Sequence, residues 1–154
     1  MTTGDKAATT GRSPRLAVRR LTLTDFRCYA HLRLDTDPRP VVLTGPNGAG
    51  KTNLLEALSF LTPGRGLRRA TLSDVARQAA GPGAPWAVAA VLDGPAGTRD
   101  VGTGREQGSE RRAVRVDGQP AKPGDLADIA SALWLTPAMD RLFIEGAGGR
   151  RRFL

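Results

Sequence analysis

Apolar and polar positions along this chain alternate with a period of two in several stretches and change to a helical period between them. Leu16 and Val18, then Leu21 and Leu23, are spaced as one face of a strand whose register shifts near Arg19-Arg20. Tyr29-Ala30-His31-Leu32-Arg33-Leu34 alternates again. Asp37-Pro38 and Pro40 punctuate the chain before the apolar run Val41-Val42-Leu43-Thr44, which predicts a short buried strand. Beyond a glycine-rich turn the period becomes helical, with Leu54, Leu55, Leu58 and Leu61 at i, i+1, i+4 and i+7. Thr71 to Arg77 predicts a short helix with Leu72, Val75 and Ala76 on one face, and Ala80 to Pro85 (AGPGAP) breaks it. Trp86 to Leu92 predicts an apolar strand. Two half-exposed strands follow, at Arg99 to Thr103 and Ala113 to Asp117, with a polar, mobile loop at 104–112 between them. Asp93-Gly94, Ala96-Gly97 and Asp117-Gly118 are turn chemistry, so 86–117 reads as an antiparallel sheet. Lys122 to Ala132 has helical spacing, and Leu133 to Thr136 predicts a short buried strand with Trp134 in the core. Ala138 to Ile144 predicts a further helix before glycines at 146, 148 and 149 and the run Arg150-Arg151-Arg152.

The glycine-rich turn carries the chemistry. Gly45-Pro46-Asn47-Gly48-Ala49-Gly50-Lys51-Thr52 fits the phosphate-binding pattern G-x-x-x-x-G-K-S/T at every fixed position, between a predicted strand and a predicted helix. Gly45, Gly48 and Gly50 let the backbone curl until its N–H groups face phosphate oxygens, which a β-carbon would obstruct. Lys51 supplies a point charge for the β- and γ-phosphates, and the Thr52 hydroxyl is placed to ligate Mg²⁺. The helix beginning there adds the partial positive charge of its N-terminus.

Composition narrows the setting. A chain of 154 residues, 40% of them hydrophobic, is large enough for one domain with a buried core. Its net charge is +8, from 23 basic and 15 acidic residues, and the basic residues are arginines apart from Lys6, Lys51 and Lys122. Such a surplus is the electrostatic footprint of a nucleic-acid partner, or else of arginines on solvated faces. Cys28 is the single cysteine, which excludes an intrachain disulfide and suits a reducing compartment; His31, the single histidine, reads as a surface residue. No apolar run has the length of a membrane span and the N-terminus has no apolar leader, so the cytoplasm is the expected location. Residues 1–14 are small, polar and without periodicity, and read as a disordered extension before a lobe of residues 15–154.

Two further segments make the pattern specific. Leu21-Thr22-Leu23-Thr24-Asp25-Phe26-Arg27-Cys28-Tyr29, followed at this spacing by Val41 to Leu58, resembles the N-terminal region of the RecF family of DNA replication and repair proteins. That family is itself similar to the ATPase heads of SMC-type and ABC-type proteins. The resemblance continues through Leu61 to Ala70 and resumes at Leu135 to Leu142 and Gly149 to Leu154. It implies an α/β fold of the P-loop NTPase, ABC/SMC-head type, represented here by its N-terminal part with an antiparallel β layer and an incomplete core. It also implies ATP and Mg²⁺ at Gly45 to Thr52, and Arg27 of the D-F-R-x-Y segment close to the nucleotide. Arg65, Arg68 and Arg69, with Arg150, Arg151 and Arg152, become candidates for contact with DNA. The implied setting is recombinational repair and the SOS response. There, an ATP-dependent homodimer acts with recombination mediator proteins and binds single- and double-stranded DNA.

An ABC-type head also needs an apolar strand ending in Asp-Glu and a serine-glycine signature loop, and neither occurs among these 154 residues. Glu56 is the candidate acid near the P-loop, and its position one turn into the helix predicts a solvent-facing side chain. Phosphoryl transfer is mostly positioning and electrostatics, so this chain alone is expected to bind ATP with little or no hydrolysis. Two other classes share the motif: a nucleic-acid-binding module whose P-loop grips phosphate without turnover, and a small-molecule kinase. The D-F-R-x-Y segment and the antiparallel insert argue against the kinase.

Overall fold

In a computed structural model, which describes residues 16–135, the chain forms a six-stranded sheet in the order β2-β1-β3-β4-β5-β6. Every neighbouring pair is antiparallel. The strands are β1 (Ala17–Phe26), β2 (Tyr29–Asp35), β3 (Trp86–Gly94), β4 (Gly97–Arg105), β5 (Arg112–Val116) and β6 (Gln119–Ala121). The connection from β2 to β3 holds helix α1 (Lys51–Ser59) and the one-turn helix α2 (Leu72–Val75). The expected slip near Arg19-Arg20 is present as a bulge: Val18 pairs with Leu92 and Arg20 with Val91. The β5–β6 turn is Asp117-Gly118, both with positive φ (48° and 78°), as a two-residue turn between right-twisted strands requires.

Strand alternation places Leu21, Leu23, Val88, Ala90, Leu92, Val101 and Val114 on one buried face. Ala57 and Phe60 bring the end of α1 onto that face, where Phe26, Phe60 and Trp86 meet edge to face with ring centroids 5.1–6.0 Å apart. Burying such a ring stabilises the fold by roughly 1.5–3 kcal/mol. On the other face, Ala87, Ala89, Gly102 and Gly104 leave the sheet smooth. Gly104 has no alternative, since a β-carbon there would lie 2.3 Å from the Trp86 carbonyl oxygen.

Arg112 of β5 ties the end of α1 to the sheet. Its guanidinium donates to the carbonyls of Phe60, Thr62 and Gly64 and to the Thr103 hydroxyl, with its carbon 5.5 Å from the Phe60 ring centre. These carbonyls include those that a helix C-terminus leaves unpaired, and a cation is favourable there. Burial pushes the Arg112 pKa down to about 10.

Several elements differ from their sequence pattern. Residues 41–44 form no strand, and Val41 and Val42 are 57% and 82% exposed. Residues 133–135 form none either; Leu133 and Leu135 are about as exposed as Val42, and Trp134 is only half-buried. The physical reason is shared. A strand exists by pairing its backbone, and the six described strands pair with one another and, at Phe26, with Ala76, but not with 41–44 or 133–135. Helix α1 faces the sheet through Ala57, Phe60 and Leu61, whereas Leu54, Leu55 and Leu58 border an apolar groove with Leu16, Leu34 and Leu43. The helix expected over 122–132 is a 3₁₀ turn, Pro123–Asp128, with Leu126 buried and Asp125 accepting the Lys122 N–H at 2.8 Å. The extension at 1–14, the helix at 138–144 and Arg150, Arg151 and Arg152 lie outside the described residues.

Candidate phosphate-binding site

Gly45, Gly48 and Gly50 all take positive φ, at 142°, 83° and 94°, so the three glycines sit where the loop needs left-handed or mirror-extended backbone. Gly50 is the N-cap of α1, no side chain caps this end, and no acidic residue lies in the first turn. The partial positive charge of the helix N-terminus is therefore uncompensated by the helix itself, which is the arrangement that holds an anion. Lys51, the first helical residue, folds back over the loop, its ammonium donating to the carbonyls of Gly45 and Pro46 at 2.7 Å each. Thr52 is exposed beside it, and Pro46, Asn47 and Ala49 line the open turn. Among the described residues no group of three acidic, His or Cys side chains could hold a metal. A hard cation here would take the Thr52 hydroxyl and complete its shell from phosphate and water, the usual habit of Mg²⁺.

The β1–β2 hairpin tip packs against this loop. A β-carbon on Gly50 would press on the Tyr29 hydroxyl and the Cys28 sulfur and force those side chains to shift, and the φ of 94° disfavours other residues here in any case. Asn53 Nδ2 donates to Cys28 Sγ at 3.1 Å. The tip itself is strained: Asp25 and Arg27 have φ of 45° and 53°. The 75–77 segment holds it there, with Arg27 N–H donating to Val75 O at 2.9 Å and Arg77 N–H to Asp25 O at 2.8 Å.

Burial, and secondarily the neighbouring Cys28 thiol, raise the Tyr29 pKa above its ordinary value of 10.0. Tyr29 is the single tyrosine of the chain, so its phenolate absorbance reads this contact alone. Titration should give a midpoint above that of the unfolded chain. The folded form holds its proton longer, so this contribution to stability declines as pH rises past 10. A midpoint equal in the folded and denatured protein would contradict the packing.

The largest departure from the sequence reading is Glu56. Expected in solvent, it is 0% exposed. Arg27 grips its carboxylate with Nε at 2.8 Å and Nη2 at 2.6 Å, and gives Nη1 to the Asp74 carbonyl. Arg68 adds a bond to Glu56 Oε2 at 2.8 Å and another to Asn53 Oδ1 at 2.9 Å. Arg27 is thus an ion-pair anchor as well as lining, with Cys28, Asn53, Asp74, Arg77 and Gln78, an open cleft beside the P-loop helix. The three loop arginines are all exposed, and Arg68 among them reaches across to Glu56 of α1. The sequence signal for Glu56 was available in retrospect: it lies on the same helical face as Asn53, one residue before Ala57, which faces the core.

Residues 17–138 match the family model described as the RecF/RecN/SMC N terminal domain. The chain belongs to this family. It is 55% identical over 137 residues to the DNA replication and repair protein RecF of Caulobacter vibrioides, covering 86% of this chain and 35% of that one. It is 53% identical over 145 residues to the RecF of Brucella suis, covering 93% and 37%. The chain spans 35% to 38% of the length of the curated RecF relatives it matches. A solved structure described as the recombination mediator protein RecF-ATP in the RecFOR pathway superposes with a TM-score of 0.72 at 20% identity, over 91% of this chain and 38% of that one. The SMC head domain from Thermotoga maritima gives 0.60 at 19% identity, over 74% and 42%. The fold is therefore that of RecF and SMC heads, with the antiparallel layer as its best-described part. No described helix is long and apolar enough to cross a membrane.

Proposed function

We propose that this chain provides the nucleotide-gripping part of a RecF-type ATP-binding head in DNA replication and repair. One observation carries the reading: a loop of three positive-φ glycines leads into a helix N-terminus with no acidic residue of its own, and Lys51 lies across that loop. Gly45 to Lys51 hold the phosphates of ATP, Thr52 offers its hydroxyl to Mg²⁺, and Arg27 borders the nucleotide from the hairpin tip. Mg²⁺, when bound, would neutralise charge on the β- and γ-phosphates. The names RecF-ATP and DNA replication and repair protein, borne by relatives, support ATP as the nucleotide and DNA as the working context.

The finer parts of the proposal follow from charge and kinship. Exposed Arg65 and Arg69, together with Arg150, Arg151 and Arg152, contact DNA, single- or double-stranded, in an ATP-dependent way. A homodimer of heads joined through nucleotide forms the clasp, in recombinational repair and the SOS response, in the cytoplasm and with recombination mediator proteins. The test is binding of a labelled oligonucleotide across a salt series, with and without ATP·Mg²⁺. Affinity should rise with ATP and fall steeply with salt, and Arg65→Ala with Arg69→Ala should reduce the salt slope by roughly 1–2. DNA binding indifferent to ATP would favour a phosphate-gripping module without a nucleotide switch.

A further inference from the structure

Glu56 is the most deeply buried charged side chain beside the P-loop, and phosphate binding as proposed above does not call for it. It joins three segments that are distant in sequence: the hairpin tip through Arg27, helix α1 through its own backbone, and the 62–70 loop through Arg68. Two guanidinium groups share one carboxylate, so the cluster keeps a net positive charge despite the burial of its acid. Stability alone is a weak reason for such a group, because a buried ion pair is often no better than apolar side chains of the same volume. The geometry of the contacts supplies a stronger one. Arg27 is pinned by two parallel bonds and a third to a backbone carbonyl, while Arg68 is held by single bonds to Glu56 and Asn53 and is 42% exposed. Asn53, two residues after Lys51, accepts from Arg68, donates its side-chain amide to Cys28 Sγ of the hairpin tip and its backbone N–H to the Gly50 carbonyl, which links this cluster to the loop.

We infer that Glu56 is a positioning residue of the nucleotide site, the counter-ion that holds Arg27 and Arg68 together at the rim of the P-loop helix. This rests on the ATP-binding reading. Without its charge the two arginines repel one another and the 62–70 loop loses its tie to α1. Arg112 still anchors the far side of that loop, so the change is local.

The experiment uses the full chain and the near-isosteric Glu56→Gln, with ATP·Mg²⁺ affinity measured calorimetrically and trypsin cleavage mapped by mass. Affinity should fall roughly 10-fold or more, the size of effect expected when a partner behind a ligand-binding group is removed. In an Arg68→Ala background the same substitution should cost markedly less, because the second arginine that Glu56 holds against Arg27 is already gone. Cleavage after Arg65, Arg68 and Arg69 should accelerate while cleavage elsewhere does not. Unchanged affinity, or an equal loss in both backgrounds, overturns the inference. If the unsubstituted chain binds no ATP, the function proposed above fails instead. The trypsin map then still decides the positioning, and unaltered cleavage of the loop refutes it. Should Glu56→Gln not fold, Glu56→Asp, which keeps the charge and shortens the reach, serves in the same comparisons.

Discussion

Lys51→Ala should abolish the rise in unfolding temperature that ATP·Mg²⁺ produces in the unsubstituted chain. The ammonium is the one mobile cation on the loop, and charge-assisted hydrogen bonds contribute about 1.5–3 kcal/mol each. Two such bonds to phosphate oxygens amount to about 3–6 kcal/mol. Part of this is offset, because Nζ must exchange its present bonds to the Gly45 and Pro46 carbonyls for phosphate. The lower end of the range is therefore the better guide, which is a loss of affinity of about 100-fold. At a nucleotide concentration about 100 times the original dissociation constant, binding stabilises by about 2.7 kcal/mol. In a chain of this size that is a shift in midpoint of about 5–11 °C, and the variant should show almost none of it. A shift of equal size in the variant would remove the P-loop assignment.

Arg27→Ala should destabilise the fold itself, by up to about 3–5 kcal/mol in equilibrium denaturation. Glu56, whose side chain is 1% exposed, would lose its bidentate partner and keep only the single bond from Arg68, so the cost of orphaning one member of a buried pair is the upper bound. The backbone, which strains arginine and alanine alike, separates two replacements at this position. Arg27 has φ of 53°, a conformation that disfavours alanine by roughly 1–2 kcal/mol relative to glycine. Arg27→Gly should accordingly be milder than Arg27→Ala by about that amount, although both lose the ion pair. If Arg27→Ala cost less than 1 kcal/mol, Glu56 could not be buried as a charge.

The glycine loop before α1 was legible in the sequence because its conformation depends on local chemistry: glycines at the positions of positive φ, followed at once by a helix. The antiparallel layer was legible for the same kind of reason. Alternation at Trp86 to Leu92, the Asp117-Gly118 turn and even the slip at Arg19-Arg20 are all short-range signals. What the sequence did not display is what depends on distant partners. Glu56 looks like a solvated helical acid until Arg27 and Arg68, 29 and 12 residues away, close on it. The leucines of α1 read as one helical face, and that face is only partly covered: Leu61 is buried and Leu54 and Leu58 pack at the core's edge, while Leu55 is exposed and Ala57 and Phe60 meet the sheet. Val41 to Thr44 and Leu133 to Leu135 have strand composition, yet composition cannot supply a neighbouring strand.

Those two apolar strips have a consequence for handling the protein in solution. Each presents β-prone side chains and unzipped backbone outside the described sheet, with Val42 and Leu135 more than four-fifths exposed. β6, by contrast, is only three residues long and carries Pro120, a combination that blunts a sheet edge against foreign strands. Self-association of this chain should therefore begin at 41–44 and 133–135 rather than along β6. The large positive charge opposes it by mutual repulsion, so added salt, which weakens that repulsion, should lower the concentration at which light scattering rises. Dilute, low-salt storage suits the molecule, and a charged residue in place of Val42 should widen its soluble range without touching the phosphate loop.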